Sequence, residues 1–355
     1  SAYENAASGY QSLVNNVTGY QNTAVGFHSQ YQSSNNYGNT SVGYKTLWSN
    51  LAEGNTAVGH NTLSKNTTGG LNSALGASAL TSNTLGNFNT AIGSGALYLN
   101  TTGSSNTAVG SLAGYSTNTG YENVSVGANS FLSNTVGYSN SSLGFNSLFS
   151  NTGGIGNTAM GYESLKYNAT GNGNTALGYR AGTNSGTVVF NFTAIGNNAG
   201  HVGSNTNTIE VGNTSVTWIG GQVGWSTYSD ERIKTNIEAN VPGLAFIKKL
   251  RPVTYNISLN SQHKLVGYYD SEEWEGKNDI ESITQTGFLA QEVERAAKEC
   301  NYDFNGITAP KGNSKIYSLQ YSAFVMPMVK AIQEQQVQIE ELMKEIKLLK
   351  EQIAK

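Results

Sequence analysis

The stretch NTAIG at residues 89–93 decides the fold, because close variants of it recur throughout residues 5–196. Successive copies begin 17 residues apart, except for one interval of 16 and one of 18. Twelve copies of the unit Asn-Thr-Ala-(Val/Leu/Ile)-Gly begin at positions 5, 22, 39, 55, 72, 89, 106, 123, 140, 157, 174 and 192. A fixed period of this length indicates a solenoid in which each repeat forms one coil.

The columns of the repeat predict what each position does. The first position is Asn except at Phe192, the third is always Ala or Ser, and the fifth is always Gly. The fourth is large and apolar except at Ser8. Four residues after the Gly comes a second apolar column, interrupted at Gln30, Gly114, Gly182 and Gly200. Two short extended runs with Gly and Asn corners are typical of a parallel β-solenoid, whose coils stack about 4.8 Å apart.

The third and fourth columns also predict how the solenoid associates. Neighbouring residues of a strand point to opposite faces, so the two columns cannot both line a narrow interior. With Ala or Ser inside, the Val, Leu and Ile side chains form a continuous apolar stripe on the outside. A stripe of that length is expected to be an association site, so we expect it to pack against the same stripe of other copies.

Charge is distributed unevenly along the 355 residues. Residues 1–227 hold 4 of the 20 Lys and Arg residues and 5 of the 23 Asp and Glu residues, and all four prolines come later. The net charge of −3 argues against a nucleic-acid partner or an anionic membrane surface. No run reaches the ~18 apolar residues of a membrane-spanning helix, so we expect no membrane insertion.

Several classes of site are not expected from the sequence. The four histidines do not have the spacing of metal ligands. They are His28, His60, His201 and His263. Cys300 is the only cysteine, which excludes an intrachain disulfide and a cysteine metal cluster. No phosphate-binding loop of the GxxxxGK[ST] type occurs, and the acidic residues of the repeats are too scattered for a glycosidase pair. We therefore expect no metal and no cofactor, and no enzyme in the repeat region.

One repeat position could bind a ligand. The residue after the repeat Gly is aromatic in two blocks, Tyr10, Phe27 and Tyr44, and then Phe145, Tyr162 and Tyr179. One aromatic side chain per coil would form a platform suited to sugar rings or host surface molecules. Packing of the solenoid explains the same residues, so the sequence leaves both interpretations open.

The repeats, with their pattern NTAVG…AL..NTTG, resemble the head repeats of trimeric autotransporter adhesins and related repeats of bacteriophage tail fibres. The resemblance covers residues 1–212, where NTIEVGN from Asn207 is similar to the strand that closes such a head. It implies a homotrimer on a phage tail, a phage-like particle or a cell surface. It also implies a host surface glycan or protein as receptor, and tail or baseplate proteins as further partners.

Four motifs later in the chain resemble the intramolecular chaperone domain of endosialidase-type tail spikes, to which a domain of the myelin regulatory factor is related. They are SDERIK from Ser229, LRPVTYNI from Leu250, TGFLAQEVERAA from Thr286 and YSLQYSAFVMPMVKAIQEQ from Tyr317. The resemblance implies a domain that drives trimerisation and then cuts itself off with a Ser–Lys dyad.

The family pattern Ser-Asp-x-Arg-x-Lys implies Ser229 as nucleophile and Lys234 as general base, with Asp230 and Arg232 in support and a cut between Tyr228 and Ser229. A serine hydroxyl needs a base to take its proton, and a lysine serves only when burial or nearby positive charge lowers its pKa. Arg232 could supply that charge or could pair with Asp230. A Ser229–Asp230 cap on a helix over residues 231–236 explains the same residues without catalysis, so the enzyme assignment stays open.

The end of the chain has a heptad pattern typical of a coiled coil. Its core positions are Ile332, Ile339, Ile346 and Ile353, paired with Met328, Gln335, Leu342 and Leu349. The rule for simple parallel coiled coils favours two strands here, whereas the resemblance requires three. We expect three, because the repeats and the chaperone share one assembly.

The predicted organisation is mainly β. A parallel β-solenoid fibre over residues 1–212 is followed by a neck at 213–228. A small α+β chaperone domain at 229–355 ends in a coiled coil from about residue 328. Two alternatives to host attachment remain, a structural spacer that binds nothing and, with less support, an ice-binding solenoid that stacks Thr in register.

Overall fold

The computed structural model describes residues 3–182, 188–200, 206–220, 222, 224–266, 277–310 and 316–354. The chain divides into two compact units, Ser1–Thr214 and Ser215–Lys355. The first unit is built from β-strands and turns, and the second combines helices with two small sheets.

Among the described residues, thirteen short strands form one parallel sheet in the first unit, and each strand pairs with the next along the chain. The pairing follows the columns of the repeat, as in Thr90 with Thr107, Ala91 with Ala108 and Ile92 with Val109. The predicted parallel β-solenoid of about twelve 17-residue coils is therefore confirmed. The strands β1 to β13 are Ala6–Ser8, Thr23–Val25, Thr40–Val42, Thr56–Val58, Ser73–Leu75, Thr90–Ile92, Thr107–Val109, Val124–Val126, Ser141–Leu143, Thr158–Met160, Thr175–Leu177, Thr193–Ile195 and Ile209–Val211.

The Gly that ends every copy of the repeat is required by two constraints at once. Gly76 has a φ of +134°, which side chains rarely allow. A Cβ built at this position would also lie 2.6 Å from the carbonyl oxygen of Gly93 in the next coil. Backbone stacks on backbone at this corner, so no side chain fits.

As far as its residues are described, each coil has one strand rather than the two extended runs expected from the sequence. The second apolar column lies in a run of tight turns, where Leu63, Leu80 and Leu97 have φ values of 51°. The turns still bond from coil to coil, since the Leu80 N–H donates to the Ala96 carbonyl at 3.0 Å. The left-handed conformation at a non-glycine residue is what the sequence pattern did not reveal.

The interior of the solenoid contains the small third column, the leucine column and two columns of buried Asn. In the first Asn column, the side-chain oxygen of Asn89 accepts from the Asn106 N–H at 3.0 Å. Its amide nitrogen donates to the Gly103 carbonyl at 2.8 Å. In the second Asn column, the Asn100 amide donates to Asn83 Oδ1 at 2.7 Å. These ladders satisfy polar groups that would otherwise be buried without partners.

The fourth column points outward, as the sequence predicts. Leu75 is 50% exposed and Ile92 is 40% exposed, whereas Ala74 and Ala91 beside them are buried. The described chain therefore carries an apolar stripe, one large side chain in each coil after the first, on the outer surface of its sheet. Exposure of this extent along a whole sheet face is typical of an association surface.

The buried apolar core of the solenoid consists of two clusters that meet between its seventh coil (106–122) and its eighth coil (123–139). One cluster ends at Ala113 and the other begins at Phe131. Gly114 lies at the junction and contributes no side chain to the leucine column. The apolar core is therefore interrupted at this junction.

The second unit begins with residues that form neither helix nor strand, as far as 215–230 are described. Its helices are α1 Leu244–Ile247, α2 Leu259–Val266, α3 Lys277–Ser282, α4 Ala290–Glu299 and α5 Val325–Ile353. Strand β14 Val253–Tyr255 pairs antiparallel with β15 Gln285–Gly287, and β16 Ile307–Thr308 pairs antiparallel with β17 Ser318–Leu319. Among the described residues, no helix is both long and apolar enough to cross a membrane.

An aromatic core closes the second unit. Phe246 of α1 is fully buried, and its ring centre lies 5.2 Å from that of Phe304 with the two planes tilted by 54°. Phe304 in turn packs edge-on against Phe324 at 4.8 Å. Glu334 of α5 accepts a hydrogen bond from the Leu244 N–H at 2.7 Å, so it caps the first turn of α1. These contacts fix the start of α5, whereas its later heptad residues are exposed in the single chain.

Candidate functional site

The SDERIK motif forms a short turn. A 3₁₀ turn spans Glu231–Ile233, and the Asp230 side chain caps it by accepting from the Arg232 N–H at 2.9 Å. The alternative expected from the sequence was a helix over residues 231–236 with a Ser229–Asp230 cap. The observed turn is shorter, and Asp230 alone makes the capping bond, so the Ser229 hydroxyl is not needed for it.

The turn brings the two residues of the expected dyad together. The Lys234 N–H donates to the Glu231 carbonyl at 3.0 Å, which closes the turn. The Lys234 side chain then reaches back, and its Nζ donates to Ser229 Oγ at 2.7 Å. This is the distance required for proton transfer between a nucleophile and its base.

Arg232 pairs with Asp230 rather than with the dyad. Its Nη2 lies 2.5 Å from Asp230 Oδ2 and its Nε lies 3.0 Å from Oδ1. The hydrogen bonds from Arg232 lower the pKa of the Asp230 carboxyl, and Asp230 raises the pKa of Arg232. Of the two alternatives for Arg232, the geometry favours the ion pair, so its charge is largely balanced before it can act on Lys234.

The surroundings of the dyad are open to solvent in the single chain. Ser229 and Lys234 are exposed, and Tyr228, on the other side of the expected cut, is 95% exposed. Trp225 is fully exposed. Two large aromatic side chains close to the dyad in the sequence are thus almost entirely exposed in the single chain.

The six aromatic residues of the repeats form two stacks. The Phe27 and Tyr44 rings are 5.4 Å apart and nearly parallel, and the Tyr162 and Tyr179 rings are 5.2 Å apart. Tyr10 and Phe145 extend the two stacks by one ring each. The faces of the rings are therefore largely covered by neighbouring rings, and mainly their edges meet solvent. This geometry accounts for packing directly and leaves few open faces for a sugar ring.

A charged cluster lies beside the second stack, and the sequence reasoning missed it. The buried Glu163 carboxylate accepts from Lys166 Nζ at 2.6 Å and from Arg180 Nε at 2.9 Å. Burial raises the pKa of Glu163, but the two cationic hydrogen bonds outweigh burial and leave that pKa lowered. The Arg180 guanidinium also lies 5.3 Å from the centre of the Tyr179 ring. The sequence signal that could have revealed the cluster is the position of Lys166 and Arg180, three and seventeen residues after Glu163, in a region with almost no other charges.

Two further columns were also missed. The second Asn column and a column of tyrosines at the sixteenth position of the repeat both recur at 17-residue spacing. Neither adjoins the NTAIG unit, which is why the unit alone did not reveal them. Within the described residues, no group of His, Cys, Asp and Glu side chains could hold a metal ion. His201 lies outside the described residues.

Comparison with known proteins identifies one similarity. The family model described as chaperone of endosialidase matches residues 229–302. The match begins at Ser229 and covers the turn, the dyad and helices α1 to α4. No curated protein gives a significant match. The expected C-terminal chaperone region is thereby supported, whereas the resemblance of the repeats to tail-fibre and adhesin heads remains a prediction.

Proposed function

We propose that this chain is the subunit of a homotrimeric fibre of a phage tail, phage-like particle or cell surface. Its C-terminal region would drive trimerisation and then release itself by a cut next to Ser229. The observation that carries the proposal is the outward apolar stripe of the solenoid, followed by a region similar to the endosialidase chaperone. The stripe needs partners with the same 4.8 Å repeat, and copies of the chain supply them.

The association can be tested by placing charges in the stripe. Changing both Val58 and Ile92 to Asp should prevent trimerisation, because burying carboxylates without partners is unfavourable. Sedimentation of the full chain at micromolar concentration measures the result. The matched control is Thr102→Asp, at an exposed polar position. Intact trimers of the double variant would contradict the assigned interface.

The proposed release follows from the dyad geometry. Ser229 Oγ attacks the Tyr228 carbonyl carbon while its proton passes to Lys234 Nζ. The Tyr228–Ser229 C–N bond then breaks, the proton goes to the new amino group, and water hydrolyses the resulting ester. Proximity replaces a substrate pocket, because nucleophile and carbonyl belong to adjacent residues. Lys234 must give up its ammonium proton beforehand, and assembly would favour this by removing its side chain from water.

Mass spectrometry of fresh and aged protein tests the release. The unchanged chain should shorten from 37.6 kDa and yield residues 229–355 as a fragment. Ser229→Ala and Lys234→Ala should each leave a full-length trimer, and Ser226→Ala is the matched control that should still be cut. A wild-type trimer that never shortens would show that the dyad is inert. Trimers without cleavage would leave the assembly role intact.

Attachment to a host surface glycan or protein is the finer part of the proposal. The stacked geometry of the aromatic columns equally supports a spacer that binds nothing. A glycan array probed with the full chain separates the two. Loss of a binding signal in Tyr44→Ala, with the signal retained in Tyr167→Ala, would support the stack as the receptor surface. An array without any signal would favour the spacer.

A further inference from the structure

The tyrosines at the sixteenth position of the repeat form stacks that neither the fibre nor the dyad requires. Each ring lies almost parallel to the ring of the next coil, within 6°. The stacks consist of Tyr3, Tyr20 and Tyr37 in the first coils, and of Tyr121 and Tyr138 further along. Unlike the six aromatics already described, these columns contain phenols only.

Tyr121 and Tyr138 form the closest pair. Their ring centres are 4.6 Å apart and their planes differ by 6°. The backbone fixes the two attachment points, because the Ser139 N–H donates to the Tyr121 carbonyl at 3.1 Å. Tyr121 is 41% exposed, so an oxidant in solution can reach the pair. The backbone therefore holds the two phenol rings side by side, where an oxidant in solution can reach them.

We propose that Tyr121 and Tyr138 are a site of oxidative cross-linking to dityrosine. Hydrogen peroxide, acting through a haem peroxidase, removes one electron from each phenol, and each phenol releases one proton. The two radicals couple by a new bond between their ortho carbons, and the two ring hydrogens move to the phenol oxygens. One peroxide takes up the two electrons and two protons and becomes two waters. Holding the rings in contact favours this coupling over encounters between free tyrosines.

The position of the pair gives the cross-link a structural effect. Tyr121 belongs to the seventh coil and Tyr138 to the eighth, so the bond would span the junction between the two apolar clusters. Gly114 leaves that junction without a leucine side chain. A covalent link across it removes conformations from the unfolded chain, as a disulfide does. The cross-link would therefore reinforce the solenoid at its interrupted point.

The first coils contain a second pair with the same geometry. The Tyr20 and Tyr37 rings are 4.8 Å apart and differ by 4°. The Glu53 carboxylate beside the Tyr37 phenol raises the pKa of Tyr37. That carboxylate can take the phenol proton when an electron is removed. We expect this pair to cross-link as well.

The test is oxidation of the full chain with hydrogen peroxide and a haem peroxidase. Dityrosine fluorescence should appear, and digestion with a broad-specificity protease should release a linked peptide containing residues 121 and 138, lighter by two hydrogens. Tyr121→Phe and Tyr138→Phe keep a ring in the stack and should each abolish this peptide. Tyr167→Phe is the matched control, since Tyr167 is exposed and its described ring contact is with Lys166.

Formation of the cross-link must also depend on the folded structure, and the cross-link must join two residues of the same chain. Oxidation in concentrated urea should abolish the preference for the 121–138 peptide, because the stack is then lost. After denaturation the cross-linked product should still run as a single chain. The proposal would be overturned if residues 121 and 138 were linked to each other no more often than either is linked to Tyr167. It would also be overturned if the yield of the 121–138 peptide were the same in urea. Neither result depends on the trimer.

Discussion

The interior of each of the two units is stabilised in a different way. The solenoid buries columns of Asn and small side chains, and every coil contributes nearly the same few bonds. The second unit closes around a single group of large apolar side chains that includes Phe246, Phe304 and Phe324. In the solenoid, repeated polar contacts therefore act beside an apolar core of Ala and Leu columns, while the second unit follows the usual rule for small domains.

This difference predicts where each unit is sensitive. Damage to the second unit should depend on the volume removed from its core. Damage to the solenoid should depend on backbone fit and on satisfied hydrogen bonds, even where little volume changes. The following substitutions test that distinction.

The largest effect is expected in the aromatic core. Phe246→Ala should destabilise the second unit by about 4 kcal/mol, because it removes a fully buried ring and leaves a cavity. Urea unfolding followed by circular dichroism should show early loss of the helical signal with the β signal retained. Ile237→Ala, at an exposed position, is the control. Simultaneous loss of both signals would contradict independent units.

A smaller but still large effect is expected at a corner glycine. Gly76→Ala adds one methyl group, yet it should cost about 3 kcal/mol through strain at positive φ and collision with the next coil. Gly156→Ala is the control, because its φ is +64° and a Cβ there meets no atom within 4 Å. That change should cost only about 1 kcal/mol. Thermal unfolding of both variants measures the difference, and equal losses would refute the backbone-stacking account.

A substitution in the Asn ladder should lower the stability of the solenoid less than a substitution at a corner glycine. Asn89→Ala leaves the Asn106 N–H and the Gly103 carbonyl without their side-chain partner, at a cost of about 2 kcal/mol. Asn35→Ala removes a surface bond from Thr18 and should change unfolding by less than about 0.5 kcal/mol. Urea midpoints compare the two. A ladder variant as stable as its surface control would show that the buried bonds contribute little.

The most local effect is expected at the end of the solenoid and depends on pH. Glu210 takes the interior position that Ala194 holds in the preceding strand, and burial raises its pKa to about 7. Because the folded pKa lies above the ordinary value of 4.5, the last coil is favoured while Glu210 is protonated. That advantage is lost as pH rises from 4.5 through 7. The hydrogen-exchange protection factor of β13, which corrects for the intrinsic base catalysis of exchange, should therefore fall over this range.

Glu210→Gln is the variant that isolates this carboxyl. It should remove the dependence of the β13 protection factor on pH between 4.5 and 7, while the protection factors of the central coils stay unchanged. The same slope in the variant and the unchanged chain would assign the effect to another group.

Much of the solenoid could be predicted because identical residues recur at identical places. The Gly column, the buried Ala column and the outward Val and Ile column followed from the alternation of a strand. The turns did not follow, because Leu at positive φ has no sequence signature of its own. The Tyr121–Tyr138 stack was missed because its column is occupied in only some coils.

The candidate site was predictable in a different sense. The motif placed Ser229 and Lys234 five residues apart, and the 3₁₀ turn explains how that spacing joins their side chains. The spacing could not reveal that Asp230 would bind Arg232 so closely, because the sequence allowed either pairing. The number of chains in the assembly likewise does not follow from the heptads alone, because the rule for simple coiled coils favours two strands whereas the resemblance implies three.

The register of the Asn columns has a consequence for how such a chain can evolve. Each Asn of the first column bonds within its own coil, to the coil before it and to the coil after it, so a coil is complete once it has two neighbours of the same kind. Duplicating one 17-residue segment in the gene would insert a coil without disturbing the others. The length of the solenoid can therefore change in fixed steps of about 4.8 Å, one step for each inserted or deleted coil.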